Sequence, residues 1–318
     1  MSRIEKSQTL IILTAVGLGL LLGQISFIEE YSGTLIIPFL LLMLYGLFLS
    51  IPLKNIKNAF KNIKFISVST VINFMWTPLL AWGLGALFLS DHPAIWLGFI
   101  LLLVTPCMDW YLIFTSIAKG NLSLATSVLP INLILQVVLL PVYLFIFAGT
   151  MEFVEATTII ESIVLVLFVP LLLANLTRYL LRHKKKFLEN KVIPLFGTLQ
   201  IIFLSLAIVA MFASQGSQLL QNLEVIILML LPLLLFFIIN FILAQTVGKV
   251  FKFSYEDTTS LNLTIVARNS PLALAIVLTA FPDQPLIALV LVIGPLIELP
   301  VLALISQVLL IFRRKVYS

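Results

Sequence analysis

Long apolar runs separated by short polar punctuation set the rhythm of this chain. At about 17–25 residues per bilayer crossing, they predict spans near 9–27, 34–51, 65–89, 94–118, 124–148, 159–181, 194–213, 225–250, 258–280 and 285–312. Glu29-Glu30 predict a short polar turn between the first two. Lys54, Lys57, Lys61 and Lys64 recur every three or four residues, which predicts an interfacial helix with its lysines on one face. The first ten residues carry Arg3, Glu5 and Lys6 and do not predict a cleaved signal peptide. The expected fold is an all-α polytopic membrane protein of ten transmembrane helices.

Charge placement tests that count. With both termini cytoplasmic, the loops at Lys54, Lys119, Lys184 and Lys249 and the Arg313-Arg314-Lys315 tail all fall inside. Of the 19 lysines and arginines, 18 fall at inside positions or at the inner ends of spans, none falls in an outer loop, and Arg268 alone lies deep within a span. Outer loops carry Glu29, Glu30, Asp91, Glu152, Glu155, Glu161, Glu224 and Asp283. Cations in short loops set orientation, so this pattern predicts a multi-pass protein of the cell membrane. Residues 1–318 read as one integral transporter domain. Cutting it at Glu152–Glu155 leaves five spans on each side. An odd number inverts the second half, giving repeats of about 9–148 and 159–312, the layout of many secondary transporters.

Composition narrows the class. Hydrophobic residues make up 61% of the chain, charged residues 10%, and mean hydropathy is +1.17. Soluble domains are about half apolar and a quarter charged. The net charge of +5 follows from the inner loops, whose 54–64 and 182–191 clusters suit anionic headgroups, so no nucleic-acid partner is expected. One cysteine excludes an intramolecular disulfide and cannot cage a structural metal. His92 and His183 both lie in loops, and hydrolase and phosphate-loop motifs are absent. The expectation is a transporter with no enzyme activity, resident metal or cofactor. Asn73, Asn240 and Gln245 read as interhelical hydrogen-bonding groups.

The chemistry gathers at interruptions. Thr105-Pro106-Cys107 breaks the fourth span, and Ala267-Arg268-Asn269-Ser270-Pro271 breaks the ninth, the corresponding span of the second half. Matched interruptions of this kind point to a binding site. Pro130-Ile131-Asn132 and Pro295-Leu296-Ile297-Glu298 echo each other in the fifth spans, so Pro106, Pro271 and Pro295 are the predicted helix breaks. Asp109, Arg268 and Glu298 are charges within spans. Each costs about 3 kcal/mol to insert, so they should face the interior and find partners. Pairing of Arg268 with Asp109 would leave Glu298 free to titrate; the competing arrangement is one static triad. Cys107 is either a small apolar filler or a single-thiol contact for a thiophilic solute, with Thr105, Asp109, Tyr111 and Asn269 around it.

Pro106-Cys107 and the Gly294-Pro295-Leu296-Ile297-Glu298-Leu299-Pro300 run resemble the arsenite-efflux permeases of the bile acid/sodium symporter superfamily. That resemblance spans nearly the whole chain and implies broken, crossing helices 4 and 9. It also implies export of trivalent arsenic (arsenite, or antimonite), with Cys107 and Glu298 as the functional Cys and Glu. The implied cargo is a small inorganic oxyanion or its neutral acid, driven by proton antiport through Glu298. Arg268-Asn269-Ser270-Pro271 and Asp109-Trp110 depart from those permeases. The other arm of the superfamily, sodium-coupled uptake of organic anions and bile acids, is the alternative. Its sodium sites use an acid and a Gln-Asn pair in helix 9, where this chain has Thr264 and Arg268 beside Asn269. A fixed cation there opposes sodium.

Overall fold

Backbone inside a bilayer has no water to bond, so an apolar chain of this kind resolves into helices. The computed structural model describes residues 8–50, 62–107, 110–149, 156–221, 223–281 and 284–317. In chain order the helices are α1 (Gln8–Leu22), α2 (Ser26–Ser50), α3 (Ile63–Phe88), α4 (Pro93–Leu103), α5 (Trp110–Ile117) and α6 (Leu122–Gly149). Next comes α7 (Ala156–Ile163), which continues through a π turn at Val164–Phe168 into Val169–Leu180. The series ends with α8 (Ile193–Gln221), α9 (Leu223–Val250), α10 (Tyr255–Val266), α11 (Ser270–Ala280) and α12 (Pro285–Tyr317). Among the described residues, seven helices are long and apolar enough to cross a membrane. The predicted fourth and ninth spans are the interrupted pairs α4–α5 and α10–α11.

Several expectations shift. Glu29 and Glu30 lie within α2, where acids near a helix N-terminus complement its dipole, so no polar turn forms at them. Lys54, Lys57 and Lys61 lie outside the described residues. Lys64 turns onto the Phe251 and Phe253 rings, 5.2 and 5.6 Å from their centroids, and donates to Phe251 O at 2.7 Å. Pro295 does not break its helix: α12 continues through it and through Pro300, as α6 does through Pro130 and Pro141. A proline fixes φ near the helical value and removes one N–H, so the chain leaves the helix only where other partners compete for its backbone.

The chain divides into two compact units that cut across the predicted halves. One holds α1, α2, α7, α8 and α11 from Leu274 onward. Within it α8 packs along α2 and against α1. Arg178 Nη2 donates to Phe48 O (3.2 Å) and Leu49 O (2.8 Å), two carbonyls that the end of α2 leaves open.

The other unit holds α3–α6, α9, α10, the first turn of α11 and α12. Here α3 passes through a π turn at Ile72–Trp76 that carries the buried Asn73. Pro78 lacks the N–H that would reach Phe74 O, and the Tyr143 hydroxyl donates there instead, at 2.6 Å. A Cβ on Gly98 of α4 would lie 2.9 Å from Ile287 O, and one on Gly294 of α12 would lie 2.7 Å from a Leu102 methyl. Two missing side chains thus let α4 and α12 approach closely, which brings Glu298 to the end of α4.

Candidate functional site

The interruption after α4 begins with hydrogen bonds that the sequence cannot make. Pro106 has no N–H for Leu102 O, and the Thr105 hydroxyl covers Leu102 O and Leu101 O at 3.0 and 3.1 Å. The next donor, Cys107 N–H, leaves its own helix and reaches Ala267 O at 3.0 Å. Asn269 N–H in turn donates to Thr105 O at 2.7 Å. Pro106 and Arg268 therefore pair as an isolated antiparallel bridge, joining the two interruptions backbone to backbone. Pro271 follows the break as the second residue of α11, a position where a missing N–H is harmless.

Diverting those amides opens two further carbonyls, Leu103 O at the end of α4 and Ile265 O at the end of α10. The Arg268 guanidinium closes both: Nη1 donates to Leu103 O at 2.9 Å, and Nη2 donates to Ile265 O. Nη2 also lies 3.4 Å from Asn73 Oδ1, and the guanidinium carbon sits 5.0 Å from the Phe236 ring centroid. Each helix C-terminus carries about half a negative charge. One guanidinium across two such ends is close to balanced, and the aromatic face adds to it. Only 4% of Arg268 is exposed.

Glu298, 3% exposed, accepts the Arg268 backbone N–H on Oε1 at 2.8 Å. The two described charges of the predicted trio are thus neighbours, met through the arginine's backbone. Asp109 lies outside the described residues, and so does the expected Arg268–Asp109 pair. Cys107 is buried beside the bridge. The Thr105 hydroxyl is committed to the last carbonyls of α4. The Tyr111 hydroxyl donates to Ala125 O of α6 at 2.8 Å. Asn269 is half-buried at the junction, its backbone committed to Thr105. Thr264 donates to Ser260 O at 2.7 Å within α10.

Two residues that sequence reasoning passed over stand out. Asn132 and Gln136 are 0% and 1% exposed, one turn apart on one face of α6, which packs against α4, α5 and α10. Neither the amide nitrogen nor the oxygen of either side chain meets a partner among the described residues. Buried carboxamides are normally satisfied. An Asn and a Gln spaced i, i+4 in an apolar helix is the signal that marks them in the sequence. Among the described residues no three His, Cys, Asp or Glu side chains converge to hold a metal ion.

Residues 37–222 match the sodium bile acid symporter family. The chain is 26% identical over 323 residues to the arsenical-resistance protein Acr3 of Corynebacterium glutamicum, covering 95% of this chain and 87% of that protein. It is 25% identical over 283 residues to the Acr3 of Alkaliphilus metalliredigens, covering 84% and 78%. An uncharacterized Bacillus subtilis protein, YbaS, is 24% identical over 303 residues, covering 95% and 96%.

Proposed function

The chain belongs to the sodium bile acid symporter family, and from that premise we propose that this multi-pass protein of the cell membrane exports trivalent arsenic by proton antiport. One observation carries the reading: the only cysteine is pinned by its own amide at the junction of two interrupted helices, one bridge away from a buried carboxylate. Relatives named for arsenical resistance, aligned over most of the chain, support the substrate.

In this reading arsenous acid arrives uncharged from the cytoplasm and contacts Cys107 Sγ, a soft donor suited to a thiophilic centre. Its hydroxyls bond to the open carboxamides of Asn132 and Gln136, with Asn269 completing the polar lining. Antimonite, of the same valence and shape, is the second cargo. Glu298 takes a proton from the outer side and releases it inside, so the inward proton gradient drives export. Arg268 already supplies a fixed cation at both half-helix ends, which supports transport without sodium. The same reading takes α1, α4–α5 and α10–α11 as crossings, giving ten spans in two inverted halves with both termini cytoplasmic. The placement of lysine and arginine supports that count.

Arsenic-sensitive cells carrying the protein should accumulate less arsenite than cells without it, and everted vesicles should take arsenite up until the proton gradient is dissipated. Cys107→Ser should abolish this uptake in a protein that remains folded. Sodium-driven organic-anion uptake with unchanged arsenite levels would replace the reading with that of a symporter.

A further inference from the structure

Two adjoining cavities lie between α9 and α12, at the end of the second unit away from the interruptions. The larger, about 590 Å³, falls in the size range of ligand pockets, about 300–1,000 Å³. It carries Lys249 and Lys252, and no acid is among the described residues that line it. The buried Nε2 of Gln245, another of its donors, has no acceptor among the described residues. Lys252 adopts a left-handed backbone (φ 54°), and Phe253 N–H closes onto Gly248 O at 2.9 Å. That tight end to α9 folds Lys252 and Phe253 back over the cavity. Cations, an open N–H donor and no carboxylate make this a place for an anion.

The smaller cavity, about 180 Å³, is wholly apolar and runs deeper between the same two helices, along Leu234 and Ile238 of α9 and Leu304 and Val308 of α12. Ile238 and Leu304 are 53% and 65% exposed, within helices long and apolar enough to face lipid. Phe241 lines this groove and Phe312 lines the cavity, and their rings lie 6.1 Å apart where one passes into the other. A charged mouth thus continues into a greasy groove.

We propose that this cleft binds one anionic phospholipid, with its phosphate at Lys249, Lys252 and Gln245 and an acyl chain along the Leu234–Leu304 groove. A soluble anion would use the mouth alone and leave the groove without purpose. Basic pockets at the ends of membrane helices, with apolar walls below, suit such headgroups. Tyr255 and Thr258 of α10 border the mouth, so a bound lipid braces the connection leading into the interrupted helix.

Native mass spectrometry of the full-length protein, with phosphatidylglycerol and phosphatidylcholine added at equal concentration, tests this directly. At least fivefold preferential retention of phosphatidylglycerol is expected, falling to parity in the Lys249→Gln/Lys252→Gln double variant. Leu304→Trp, which obstructs the groove while keeping the mouth, should also lower retention several-fold. Excess glycerol 3-phosphate should not displace the lipid. Equal retention of both lipids, or retention unchanged in both variants, would overturn the proposal. Displacement by glycerol 3-phosphate together with an unaffected Leu304→Trp would also overturn it, making the mouth a site for a soluble anion. Gel filtration confirms that each variant is folded, and none of these measurements depends on arsenite transport.

Discussion

A guanidinium costs about 3 kcal/mol to insert into a bilayer interior, yet Arg268 closes two carbonyls that would each cost about 1–3 kcal/mol if left open. That exchange lets the arginine reside at the crossing on the strength of helix ends and an aromatic face. Glu298 contributes through a bond to a backbone amide. Glu298→Gln keeps an acceptor for that amide but cannot carry a proton. It should melt within a few degrees of the wild type and lose proton-driven arsenite efflux; vesicle assays at matched expression decide this. Asn132→Leu combined with Gln136→Leu removes four unmet polar atoms. If those groups serve a solute, the double variant should gain about 1–3 kcal/mol of stability while its KM for arsenite rises tenfold or more. A lower melting temperature would mean that the carboxamides hold the fold instead. The partners of Arg268 were not legible in the sequence, because carbonyl oxygens are the same at every residue. Only the path of the backbone says which ones are open.

Proline marks the helices in three ways here. Pro106 ends one, because its neighbours find better partners across the crossing; Pro271 starts one; Pro130, Pro141, Pro295 and Pro300 ride inside others. A sequence shows the same ring each time, so it predicts a break at Pro295, where α12 continues, as readily as at Pro106, where the helix ends. The polar residues flanking Pro106 and preceding Pro271 carried the distinction. At Pro78 the freed carbonyl is met from another helix, by Tyr143. Tyr143→Phe leaves Phe74 O without that donor and should cost about 1–3 kcal/mol, read as a lower melting temperature in detergent. An unchanged melting temperature would mean that water serves equally well there.

For the molecule as a whole, hydropathy marks the apolar helices and charge predicts an orientation, since both are one-dimensional properties of a chain in a slab. Grouping into two units was not legible, because each unit draws helices from both halves of the sequence. The ten-crossing arrangement remains an expectation with a direct check. Reporter fusions after Gly120 and at the C-terminus should both read cytoplasmic, and a fusion at Asp91 should read external. Opposite reports from Gly120 and the C-terminus would break the count.

The bridge between the interruptions has a consequence for how a proton and a solute could influence each other. Arg268 lies between the two residues whose backbones tie the crossing together, Ala267 and Asn269, while its own N–H rests on Glu298. A proton arriving on Glu298 would weaken that acceptor and slacken the knot at its midpoint, one residue from the carbonyl that anchors the amide of Cys107. Occupancy at the sulfur and charge at the carboxylate would then be two hands on one short rope, pulled through main-chain amides alone.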